Sequence, residues 1–149
     1  MYDARQIANW FIRRAAQEGR SLSIMSLLKL VYIAHGWHLE MRKAPLFNNK
    51  IEAWQRGPVV PDVYSTFRKQ GVEVTLVEPQ FDISLPSYDE AYLDEIYRIY
   101  GHMDAFKLSD LTHEEGGPWE LASRRGYYAT MFDEEIRQHY EAKRAAATA

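Results

Sequence analysis

The sequence predicts a mainly α-helical protein, a single compact helical domain of about six or seven helices with a small two- or three-stranded β element. Three observations lead there. Apolar residues recur at helical spacing, between recognisable caps, along most of the 149 residues. Only Val72–Val77 alternates and is β-branched in the manner of a strand. No repeat or linker divides the chain, and a chain of this length is expected to form one domain.

The elements follow in order. Asp3 and Gln6 stand as N-cap and N3 of a capping box. Ile7, Ala8, Phe11, Ile12 and Ala15 then mark one face of a first helix that ends at Gly19. Trp10 lies off that stripe, where it either flanks the core or meets another element or a partner. Ser21 or Ser23 caps a second helix, apolar on nearly every side from Ile24 to Trp37. A helix of that kind is buried all round, so it is the expected centre of the fold. Lys29 and His35 are its polar exceptions, and Gly36 inside it implies close packing or a kink.

A short helix after Pro61 carries Val63, Tyr64 and Phe67 and stops at Gly71. The strand Val72–Val77 needs a partner, for which residues 48–54 or 81–85 are the candidates. Ser87 and Glu90 form a second capping box, opening a helix that runs to Tyr100. Asp104 caps a short helix from Ala105 to Leu111, and Pro118 suits the first turn of the next. A charged C-terminal helix over 131–144 has a thin apolar stripe, Ile136 and Tyr140, and a frayed tail is expected at 145–149.

Composition narrows the function. The chain is 46% hydrophobic and 26% charged, as soluble globular proteins are, and its net charge of −3 provides no general attraction to nucleic acid or anionic membrane. Zero cysteine removes disulfides, thiolate metal sites and cysteine nucleophiles together. Met1-Tyr2-Asp3-Ala4-Arg5 carries no apolar signal region, and no apolar run reaches the about 18 residues of a membrane span. These features point to the cytoplasm, with no membrane partner and nucleic acid disfavoured as one.

The densest set of constrained residues is Glu52 to Tyr64, with Trp54, Gly57, Pro58 and Pro61. The prolines fix φ, Gly57 permits backbone that a side chain forbids, and the result is a rigid corner. Trp54, Tyr64, Trp119, Tyr127 and Tyr128 all fall at expected turns and can meet on one side, as interface anchors do. Trp54 and Trp119 can equally be core pins of their corners. Asp110, His113 and Glu114 form a polar cluster that could serve a metal-dependent hydrolase, or merely end a helix. His35 and His38, three apart on one helix, could face one metal but lack further ligands. Arg13-Arg14 and Arg124-Arg125 are local basic pairs on helices, open to a nucleic-acid-binding role. Phosphate-loop and nucleophile-elbow motifs are absent from the sequence, and no cofactor is implied.

Several blocks together carry a resemblance. They are Lys29-Leu30-Val31-Tyr32-Ile33-Ala34-His35-Gly36-Trp37, Pro45-Leu46-Phe47, Glu52-Ala53-Trp54 through Tyr64, Leu108-Ser109-Asp110-Leu111-Thr112-His113, and Pro118-Trp119. In order and spacing the chain resembles the SocA-like antitoxin family, the phage-associated Panacea domain, over roughly residues 3–125. It departs from the family at His35, where Gln is common, and at Arg56, where an aromatic residue or His is common. The resemblance implies one such domain over 1–149. It also implies a bacterial antitoxin of a type II toxin-antitoxin system rather than an enzyme. Such a protein binds a cognate protein toxin, by masking it or by presenting it as an adaptor to a AAA+ protease. The residues expected at the partner are Arg56, Tyr64, His113, Tyr127 and Tyr128. Those expected to hold the fold are Trp54, Gly57, Pro58, Pro61 and Trp119.

Overall fold

The apolar second helix sits at the centre because most of the other helices pack on it. The computed structural model describes residues 1–148. Helix α1 spans Ala4–Gln17, with the Asp3–Gln6 capping box formed, and it buries Ile7, Ala8, Phe11, Ile12 and Ala15. Helix α2 spans Ile24–Arg42, is capped by the Ser23 side chain accepting from Ser26 N, and buries 14 of its 19 residues. Strands β2 (Glu52–Trp54) and β3 (Gly57–Val59) form a hairpin beside α2, followed by α3 (Pro61–Phe67). Helices α4 (Ser87–Tyr100), α5 (Ala105–Thr112), α6 (Pro118–Arg125) and α7 (Asp133–Thr148) complete the chain. Among the described residues, seven α-helices and two small antiparallel sheets match the expected fold class.

Three local expectations are corrected. Strand β4 is only Glu73–Val74, and it pairs with β1 (Leu22–Ser23), not with residues 48–54 or 81–85. The Gln70 side chain ends the ladder early, since its amide bonds Thr75 N, Leu76 N and Leu76 O. Residues 52–54 pair instead with β3 and, on their other edge, with the chain at Thr130. The second capping box does not form: α4 begins after Pro86, with no side-chain cap. Its acids are taken elsewhere, because Glu90 accepts from Trp10 Nε1 and Asp89 accepts from Tyr2 and Arg42. Trp10 therefore belongs to the α1–α4 contact, 7% exposed. Lastly, residues 145–148 continue α7 rather than fraying from it, as alanine's high helix propensity favours; Ala149 lies outside the described residues.

Helix α7 docks through few apolar side chains. Ile136 and Tyr140 are buried, and the Tyr140 ring lies flush on Gly36 of α2. A Cβ at Gly36 would stand 2.2 Å from that ring. Around this seam, Lys43 pairs with Glu141 and Arg144 with Glu40, each at 2.6 Å, and His35 Nε2 meets Asp133 at 2.8 Å. Pairs with exposed partners contribute little individually, so the ring-on-glycine contact sets the geometry.

Gly36→Ala is expected to destabilise the protein by about 1–3 kcal/mol in urea denaturation, through overpacking against a buried ring. Helix propensity alone predicts the opposite sign, a gain of about 1 kcal/mol. Unchanged or raised stability would remove Tyr140 as the reason for the glycine.

Candidate partner-binding site at the Gly-Pro corner

The corner begins as a hairpin with a two-residue turn. Trp54 pairs with Gly57, Ala53 with Pro58 and Glu52 with Val59, leaving Gln55 and Arg56 exposed at the tip. Gly57 holds φ +125, in the region that favours glycine. A Cβ there would lie 2.8 Å from Lys29 Cε and 3.4 Å from His113 Nε2. The glycine thus serves the backbone and leaves room for a lysine.

Lys29, from α2, is fully buried, and its ammonium donates to Pro58 O at 3.3 Å. Desolvation pushes its pKa from 10.5 down to about 8. His113, at the C-terminal end of α5, brings its ring to the same place. Its Nδ1 lies 3.3 Å from Ser109 Oγ, which itself donates to Arg56 O at 2.9 Å. The backbone of Gln55 and of Ser109 favours the charged ring, but burial outweighs it. Nε2 is buried with no partner among the described residues. Burial first, and the Lys29 charge second, hold the His113 pKa below its ordinary value. The corner is therefore fastened from beneath by α2 and α5.

An aromatic surface covers it. Trp119 Nε1 donates to Trp54 O at 2.7 Å, joining α6 to the hairpin, and the Trp119 ring meets His113 edge-on at 4.3 Å. The half-buried Trp54 ring meets Tyr64 at 5.1 Å and Tyr128 at 5.5 Å, both edge-to-face. Together with Ala53, Gln55, Ser123, Gly126 and Tyr127, three of these rings line a cleft of about 330 Å³. Gly126 (φ 142) and Tyr128 (φ 56) give the far wall its shape. A left-handed conformation costs a side-chain-bearing residue roughly 1–2 kcal/mol, which the Trp54–Tyr128 contact helps to offset. Arg125 clamps this loop by donating to Thr130 O and pairing with Glu135, both at 3.1 Å.

The residues singled out from the sequence divide between two layers. Arg56, Tyr127 and Tyr128 are exposed, and Tyr64 is half-buried beneath Arg68. Gly57 and Pro58 are buried, Trp54 and Trp119 half-buried, and Pro61 starts α3. His113 turns inward rather than toward solvent. Lys29 and Ser109 are the members that sequence reasoning missed; a lysine between Leu28 and Leu30 in an apolar run was the available signal.

The competing constellations come apart. Glu114 pairs with Lys143 on α7, away from His113, and no group of three or more His, Asp or Glu among the described residues could hold a metal. His35 turns to Asp133 and Phe47, whereas His38 Nδ1 donates to Ala44 O. Both basic pairs are met by acids, Arg13 by Asp82, Arg14 by Asp94, Arg124 by Glu120 and Arg125 by Glu135. A larger groove of about 570 Å³ lies between α2, α4 and α7, but its arginines, Arg42 and Arg144, are already paired with Asp89 and Glu40.

Comparison with known proteins falls on the same corner. The family model described as "Antitoxin SocA-like, Panacea domain" matches residues 27–120. That span holds Lys29, the hairpin, His113 and Trp119. The chain is 34% identical over 130 residues to Antitoxin SocA of Caulobacter vibrioides (strain NA1000 / CB15N), covering 80% of this chain and 69% of that protein. No solved structure matches.

The buried ammonium has a titration signature. Between pH 8 and 10.5 the unfolded chain keeps the Lys29 proton and the folded chain releases it, so this group makes stability rise with pH across that window. The stability of the parent minus that of Lys29→Met should therefore increase from pH 8 to 10.5, by on the order of 3 kcal/mol. Urea denaturation of both proteins at several pH values measures this difference, in which the tyrosines cancel. A flat difference would contradict a desolvated Lys29.

Proposed function

The chain belongs to the SocA-like antitoxin family, the Panacea domain, and from that premise we propose that it neutralises a cognate protein toxin by binding it at the Gly-Pro corner. The observation that supports this reading most is the cleft of Trp54, Trp119 and Tyr128, of which Trp54 and Trp119 fall within the span that the family model matches. Rigid aromatic surfaces beside an arginine are what protein interfaces use as anchors. Arg56, Tyr64, Tyr127 and Tyr128 then contact the toxin. His113 acts from below, holding the Arg56 turn through Ser109. Trp54, Gly57, Pro58, Pro61 and Trp119 keep the surface in shape.

In this reading the protein is a non-enzymatic member of a type II toxin-antitoxin system, working in the bacterial cytoplasm. No helix among the described residues is long and apolar enough to cross a membrane. The same surface serves two outcomes for the toxin. Bound and masked, it persists in an inactive complex. Delivered to a AAA+ protease, it disappears.

Co-expression with the product of the adjacent gene tests the reading. That product should be toxic alone, harmless with this protein, and recovered in a complex with it; a harmless product that forms no complex would count heavily against it. Toxin half-life separates the outcomes, long under masking and short under delivery. Arg56→Ala, at an exposed position, should weaken the complex by about 5- to 30-fold, or 1–2 kcal/mol, without lowering thermal stability. Unchanged affinity would take the turn out of the interface.

A further inference from the structure

The wall of the cleft formed by residues 126–130 lies outside the matched span of 27–120. It also holds two of the seven positive-φ residues among those described, within three positions of each other. Gly126 and Tyr128 hold positive φ on either side of Tyr127, and the Arg125 guanidinium ties the chain down at Thr130 O. Tyr128 folds back on Trp54. The result of these constraints is that Tyr127 stands 98% exposed at the lip of the cleft. A flexible loop would expose a tyrosine without such fastening; here the backbone that presents it is fastened. A fixed backbone lowers the ordering cost of binding, and a tyrosine has only two χ angles to fix, which suits it as an anchor.

The charges nearby indicate what the anchor meets. Arg56 and Arg68 are exposed at the Trp54–Tyr64 end, and neither forms an ion pair with a described residue. The guanidinium of Arg68 sits over the Tyr64 ring, which touches Trp54. The surface thus combines an apolar cleft, a projecting tyrosine and two uncompensated positive charges.

Resting on the toxin-binding reading above, we propose that the loop 126–130 is the element that anchors the protein partner, with Tyr127 as its anchor. The partner segment presents an apolar side chain to the cleft and a carboxylate to Arg56 and Arg68. Tyr127 packs against that apolar side chain, while Tyr128 and Gly126 fix where it stands.

Calorimetric titration with the product of the adjacent gene tests this. Tyr127→Ala should bind roughly 30-fold more weakly or worse, and Tyr127→Phe should bind within about threefold of the parent. Both should melt where the parent melts, since the side chain is in solvent. Arg68→Glu should weaken binding at least about tenfold, through repulsion of the partner's carboxylate. A parent protein that binds while Tyr127→Ala binds equally well overturns the anchor and leaves the toxin reading standing. Undiminished binding by Arg68→Glu overturns the acidic assignment. A parent that forms no complex overturns the toxin reading and this inference together.

Discussion

The Lys29 ammonium lies fully buried against one carbonyl, Pro58 O, with burial as the single cause of its lowered pKa. An isolated buried charge costs several kcal/mol unless it is well paired. The corner is shaped around that charge. Gly57 has no side chain because the lysine stem occupies its place, and the buried Nε2 of His113 lies beside the same glycine. Lys29 of α2 thereby reaches the hairpin at Pro58 O, while Ser109 and His113 at the end of α5 hold the carbonyl of Arg56 at its tip. Three segments far apart in the chain are held at one point, and the aromatic cover from Trp54 and Trp119 closes over it.

Two glycines work in the same way at the two halves of α2. Gly57 receives Lys29, and Gly36 receives Tyr140. In each case a missing Cβ lets a long side chain from a distant element seat against backbone, which fixes that element's position more firmly than area alone. The consequence for function is a division of labour. The inner layer of Lys29, Gly57, Pro58 and His113 is fastened and shielded. The outer layer of Arg56, Tyr64, Tyr127 and Tyr128 is carried by it toward solvent. Rigid support beneath an exposed surface keeps the ordering cost of binding low.

The helices were legible because their signals are local. Asp3 with Gln6, Ser23, Asp104 and Pro118 each begin a helix where their chemistry predicts. What failed was decided by distant partners. Ser87 to Glu90 reads as a capping box, yet Trp10 holds Glu90 and Arg42 holds Asp89. Strand β1 is two residues long, too short for any alternation to show. At the corner the same limit applies. The constrained backbone of Trp54, Gly57 and Pro58 could be read directly, and so could the family that shares it. Lys29 looked only like an exception in an apolar helix, because its partner lies 29 residues away in sequence. His113 was expected at the surface, and it faces the lysine instead.

Partner binding at the corner requires that its fastened inner layer present the outer layer to the protein bound. Hydrogen–deuterium exchange of the complex with the adjacent gene product reads it most directly. New protection is expected at residues 54–57 and 126–130, with α2 near Lys29 already slow to exchange in the free protein. Protection confined to the groove between α2, α4 and α7, with the corner unchanged, would contradict it.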